Sequence, residues 1–164
     1  MNTDRIEKKV LLKAPLARVW SAISDARQFG SWFGVTFEGP FVAGTALHGR
    51  ITMTTVDPEV ARLQKPHEGK DFNISVESIE PMRLFSFRWH PYAIDPKADY
   101  SKEPTTLVSF ELREADGSTL LTITESGFDR VPLDRRAQAF AANEGGWTHQ
   151  CANVEKYLVL HPQG

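Results

Sequence analysis

The chain of 164 residues predicts an α+β domain, a curved antiparallel β-sheet wrapped around one long C-terminal α-helix, with two short helices after the first strand. Three observations carry that prediction. From Arg135 to Leu160 the residues Phe140, Glu144, Trp147, Cys151, Val154 and Leu158 recur at spacings that alternate between four and three, the period of an amphipathic helix. Between Thr45 and Gly127 apolar and polar residues alternate in several short runs, the period of half-buried strands. Two short helical faces, Leu16/Val19/Trp20/Ile23 and Phe29/Trp32/Phe33, precede those runs.

In chain order, Arg5–Lys13 reads as the first strand, with Ile6, Val10 and Leu12 as its apolar positions. Pro15 opens the first helix, where a missing N–H costs nothing. Ser24 or Asp25 caps the second. Thr45–Thr54 alternates through Leu47, Ile51 and Met53, and a polar loop with Pro58 and Pro66 follows. Asp71–Ile79 alternates through Phe72, Ile74 and Val76, then turns at Glu80-Pro81. Arg83–His90 places Phe85, Phe87 and Trp89 on one face. Pro91–Pro104 is a long loop. Thr105–Glu114 sets Val108, Phe110 and Leu112 on one face, and Ala115–Ser118 is a hairpin turn. Thr119–Gly127 returns through Leu121 and Ile123, and the same face then reaches Glu125. The final helix, at 1.5 Å per residue, spans roughly 39 Å, enough to cross a sheet. No internal repeat or low-complexity segment interrupts the chain, so residues 1–164 read as a single domain.

Composition removes several function classes. A net charge of −2 with both signs scattered leaves no basic stripe for nucleic acid. The single cysteine, Cys151, excludes an intrachain disulfide and a cysteine-built zinc site. The five histidines show no metal-ligand spacing, so no metal and no cofactor are expected. MNTDRIEKKV lacks the apolar core of a signal peptide, and no stretch approaches ~18 apolar residues. A soluble cytoplasmic protein with no membrane span is the expectation.

The stretch APLARVWSAISDARQFGSWFG resembles the opening of the SRPBCC, or START-like, superfamily. GTALHGRI, IEPMRLFSFRW, TTLVSFEL, STLLTITESGF and NEGGWTHQCANVEKYL continue the resemblance in order, over almost the whole chain. It points to the branch similar to the C-terminal domain of the activator of the ninety-kilodalton heat-shock protein ATPase. The resemblance implies a helix-grip fold with a cavity between sheet and long helix. Members of the superfamily bind lipids, sterols, polyketides or plant hormones, and some are cyclases or aromatases. HPYAIDPKADYSKEPTTLV is similar to a subgroup labelled vanillate O-demethylase oxidoreductase. Such a reductase needs an iron–sulfur cluster on four cysteines, which this chain does not have.

Within that expected cavity, Glu125 is the candidate acid–base residue, because a carboxylate facing an apolar pocket is suited to proton transfer. The competing reading has the strand fray there, or pairs Glu125 with an arginine at the cavity mouth. Trp32, Phe33, Phe87, Trp89, Tyr92, Phe128 and Trp147 are the candidate aromatic walls, with Cys151 and Glu144 on the same helical stripe, although Glu144 reads equally, and by preference, as a solvated residue at the stripe's edge. An ordinary aromatic core explains the same residues. Gly145 and Gly146 cost about 1 kcal/mol each relative to alanine in a helix, which predicts a close approach of the helix to the sheet or a bend around a cavity. His90 and Tyr92, with Tyr100, are candidates to close a lid. The expected partner is therefore a small apolar or aromatic ligand. The alternative is a protein-interaction module that regulates a heat-shock chaperone ATPase, and a homodimer is a further possibility.

Overall fold

A computed structural model describes residues 5–92, 97 and 99–163. The first strand, β1, is Arg5–Leu12. Pro15 then sits one residue ahead of helix α1, Leu16–Ser24, at the capping position and not inside the first turn. Helix α2, Ala26–Phe33, starts at Asp25, whose carboxylate accepts from the Arg27 backbone N–H at 3.0 Å, so the cap is Asp25 and not Ser24. It ends at Gly34 with φ of 96°, where a Cβ would also strike the Gln64 amide. Val19, Trp20, Ile23, Phe29, Trp32 and Phe33 are buried, so both predicted helical faces are core.

The next stretch departs from the alternating pattern. Val35–Phe37 forms β2, and the predicted Thr45–Thr54 strand is instead two pieces, β3 (Ala46–Leu47) and β4 (Gly49–Ile51). β4 pairs with β2 in a separate two-stranded sheet, while β3 joins the main sheet. Pro58 begins helix α3, Pro58–Gln64, where a loop was expected. Asp57 caps it by accepting from the Glu59 and Val60 backbone N–H groups. Proline at the first helical position after an acidic cap is a start signal, and only Val60 of this helix is buried. With one buried residue, α3 shows no periodic apolar face to betray it.

The remaining strands are β5 (Ile74–Glu80), β6 (Leu84–Trp89), β7 (Thr106–Ala115) and β8 (Ser118–Ser126). Asp116 and Gly117, at φ of 50° and 82°, form the tight hairpin between β7 and β8. The main sheet is antiparallel in the order β1-β8-β7-β6-β5-β3. Helix α4, Leu133–Leu160, lies against it and packs on β1 and α2. This is an α+β, helix-grip arrangement. Residues 93–96 and 98, within the predicted 91–104 loop, lie outside the described residues.

The buried face of α4 is rotated from the predicted stripe. Trp147, Val154 and Leu158 are buried as expected, but Ala139, Gln150, Asn153 and Tyr157 share that face, while Glu144 is exposed. The reason is the end of α2, whose last carbonyls have no partner within their own helix. Gln150 Nε2 donates to the Phe33 carbonyl at 3.0 Å and Asn153 Nδ2 to that of Trp32 at 3.1 Å. Gln64 of α3 adds a third donor, to Phe33, at 2.9 Å.

Candidate functional site

Glu125 sits next to the last residue of β8 and is fully buried. Strand alternation sends its side chain to the inner face with Leu121 and Ile123, as the sequence pattern required. Its carboxylate gathers donors from three other elements. Trp89 Nε1, at the end of β6, donates to Oε2 at 2.7 Å. Thr106 Oγ1, at the start of β7, donates to the same oxygen at 2.6 Å. From α4, Trp147 Nε1 donates to Oε1 at 2.8 Å, and Asn143 Nδ2 reaches both oxygens at 2.9 and 3.1 Å. All contacts are donors, and they occupy the lone pairs a carboxylate has to offer. Glu125 thus ties three neighbouring strands of the sheet to the helix. The arginine partner considered from sequence is not what holds it.

A small pocket of about 70 Å³ lies beside this cluster, lined by Phe33, Trp89, Asn143, Gly146, Trp147 and Gln150. Ligand pockets commonly measure about 300–1,000 Å³, so most of the sheet–helix space is filled by the protein's own rings. A Cβ built on Gly145 or Gly146 would meet nothing within 4 Å. The expected close approach of helix to sheet is therefore absent, and α4 runs unbroken through both glycines. Gly146 instead leaves space beside Trp147.

The other predicted residues divide. Phe33, Trp89 and Trp147 meet at the pocket with ring centroids 5.7–6.4 Å apart. Trp32, Phe87 and Phe128 do not reach it: all three are buried, and the Trp32 indole N–H is spent on the Ala22 carbonyl at 3.0 Å. Glu144 points to solvent and pairs with Lys8 at 3.4 Å, because the helix is rotated toward α2. Cys151 is half-buried and outside the pocket lining, and burial pushes its thiol up to about 11. Tyr92, at φ of 52°, accepts from Gln138 on α4.

The described ends of the 91–104 loop are pinned to α4 by Arg135. Its guanidinium donates to the Pro91 carbonyl at 2.7 Å, pairs with Glu103, and lies 4.9 Å over the Tyr100 ring. His90 Nε2 meets the Glu103 carbonyl at 3.0 Å, across the neck of that loop.

Thr106 and Asn143 are contributors that the sequence reading did not assign. Thr106 continues the inner face of Val108, Phe110 and Leu112, just as Glu125 continues that of Leu121 and Ile123. Asn143 lies one helical turn before Trp147. Both signals were present as spacing.

A larger open depression, about 810 Å³, lies elsewhere, between the outer face of α2 and residues 35–41, and none of the predicted site residues lines it. Among the described residues no group of His, Cys, Asp and Glu could hold a metal ion, and no helix is long and apolar enough to cross a membrane.

No curated protein matches the chain. Solved structures match its fold. A protein of the dynemicin biosynthetic locus, DynU16, is 24% identical with a TM-score of 0.66, over 95% of this chain and 47% of its own. This chain thus spans about half the length of that protein. Protein MLL2253 from Mesorhizobium loti is 18% identical with a TM-score of 0.69, covering 95% and 97% of the two chains. A protein from Arthrobacter aurescens is 18% identical with a TM-score of 0.73, covering 98% and 90%. These likenesses speak for the fold alone. Residues 13–159 match the family model described as Activator of Hsp90 ATPase homolog 1-like protein, and the chain belongs to that family.

Proposed function

We propose that the chain binds a small apolar or aromatic molecule between the sheet and α4, at the pocket formed by Phe33, Trp89 and Trp147. One observation carries this reading. A pocket walled by three aromatic rings adjoins a fully buried carboxylate that holds both indole N–H groups, and Gly146 keeps the space beside them open. In this role Glu125 is a positioning residue: it orients the walls, and its oxygens are already occupied. Acid–base chemistry by Glu125 would require one donor, Asn143 being the half-exposed one, to leave first.

The test is a titration of tryptophan fluorescence with flat aromatic compounds. Saturable quenching in the wild type, lost in Gly146→Leu without loss of helicity, supports the reading. The same quenching in both proteins sinks it, because leucine at that position fills the space.

A second reading is an interaction module acting on a heat-shock chaperone ATPase. It is favoured by the small size of the pocket and by the family to which the chain belongs. Stimulation of the ninety-kilodalton chaperone's ATPase by the wild type and by Gly146→Leu alike supports this second reading over the first.

A further inference from the structure

We infer that the pocket beside Glu125 takes a small organic cation, a primary or methylated ammonium head carried on an apolar or aromatic body. The inference rests on the binding reading above and names the ligand class of that same site. Three features of the pocket converge on positive charge.

The first is the carboxylate itself. Glu125 is fully buried and accepts only from neutral donors, the two indoles, a hydroxyl and an amide. No cationic side chain among the described residues pairs with it. Two cations on or beside α4 are engaged elsewhere, Lys8 with Glu144 and Arg135 with Glu103. A buried negative charge with no cationic partner projects its field into the adjoining space, where low-dielectric walls screen it little.

The second is the rings. Phe33, Trp89 and Trp147 contact one another around the pocket, and ring faces attract cations. Both indoles donate their N–H to Glu125. Donation to an anion polarises the indole and pushes electron density onto its ring, which strengthens that attraction.

The third is the polarity of what remains. Among the lining side chains the two indole N–H groups and the Asn143 amide nitrogen donate to Glu125, and the Gln150 amide nitrogen donates to the Phe33 carbonyl. The Asn143 amide oxygen is left as an acceptor. An anion finds both indole donors already taken, whereas an ammonium finds aromatic rings and an acceptor. The volume of about 70 Å³ admits only a small head. The body of the ligand would then lie along half-exposed Asn143 and Gly146.

The experiment compares benzylammonium, benzyl alcohol and benzoate, one ring with three charges, on the full chain at neutral pH and low salt. Binding is read by tryptophan fluorescence and by saturation-transfer NMR. The expected order is benzylammonium tighter than benzyl alcohol by about tenfold or more, with benzoate not binding. In Glu125→Gln the preference of cation over alcohol falls toward onefold. The charge series on the unaltered chain decides the matter even if that variant does not fold. Benzyl alcohol binding as well as or better than benzylammonium overturns the cation while leaving the binding reading in place. Failure of all three overturns both.

Discussion

Trp147 on α4 and Glu125 on β8 meet across the space between helix and sheet, with the indole nitrogen 2.8 Å from a carboxylate oxygen. Trp89 completes a symmetrical hold on the other oxygen at 2.7 Å. The helix is thereby attached to the sheet by a buried polar junction as well as by apolar packing. Such a junction is costly to break, since each orphaned buried donor carries its own desolvation penalty.

Glu125→Gln replaces one acceptor oxygen by an N–H₂ that faces the donors already in place. The expected result is a loss of about 2–4 kcal/mol in unfolding free energy, read from the urea midpoint with its slope unchanged. A loss below about 0.5 kcal/mol would show that the junction contributes little.

Gly146→Ala is expected to stabilise. The added methyl meets no atom within 4 Å, and alanine gains about 1 kcal/mol over glycine in a helix interior. For a chain of this size that raises Tm by about 2–4 °C. A fall in Tm would mean that the backbone at Gly146 passes closer to its neighbours than the geometry described.

His48 bridges two carboxylates, Asp71 at 3.0 Å from Nε2 and Glu38 at 3.0 Å from Nδ1. Hydrogen bonding first to Asp71 and then to Glu38 raises its pKa above the ordinary histidine value. Its contribution to stability is therefore fully present below that ordinary value and is lost as pH rises through the raised one. His48→Gln should flatten this part of the stability–pH curve and also weaken the limb at lower pH, because the bond from His48 is the main cause that holds the Asp71 carboxyl below its ordinary value. Because the site is exposed, the effect should also shrink in high salt. An identical curve for the two proteins would remove His48 as its source.

Cys151 should react slowly with iodoacetamide in the folded protein. Burial holds its thiol up at about 11, with Lys8 opposing the shift only in part. At neutral pH the thiolate fraction is then roughly a hundredfold or more below that of a free cysteine. Full reactivity is expected to return in urea. Rapid alkylation of the native chain would contradict the burial of the sulfur.

Some of this site was legible as spacing. Glu125 closes an inward-facing series after Leu121 and Ile123, and Trp89 closes one after Phe85 and Phe87. Alternation alone places both on one side of a sheet. Trp147 lies on the apolar stripe of a helix long enough to cross that sheet. That two indoles and a carboxylate share one point was not legible, because it depends on strand register. Trp89 stands opposite Thr106, and Val108 opposite Glu125, and those pairings bring the ends of β6, β7 and β8 together.

The sequence by itself determined the α+β class, the two helical faces after β1, the hairpin at Asp116-Gly117 and the inward direction of Glu125. Each follows from a local period or from backbone chemistry that acts over a few residues. Only the tertiary structure decided that the aromatic residues largely fill the sheet–helix space, with Trp32, Phe87 and Phe128 in the core and Phe33, Trp89 and Trp147 around a small pocket. It also decided the rotation of α4, which turns Asn153 inward and fixes the partners of Gln150. The unpaired carbonyls at the end of α2 demand donors there, and that demand comes from residues more than a hundred positions away in the chain.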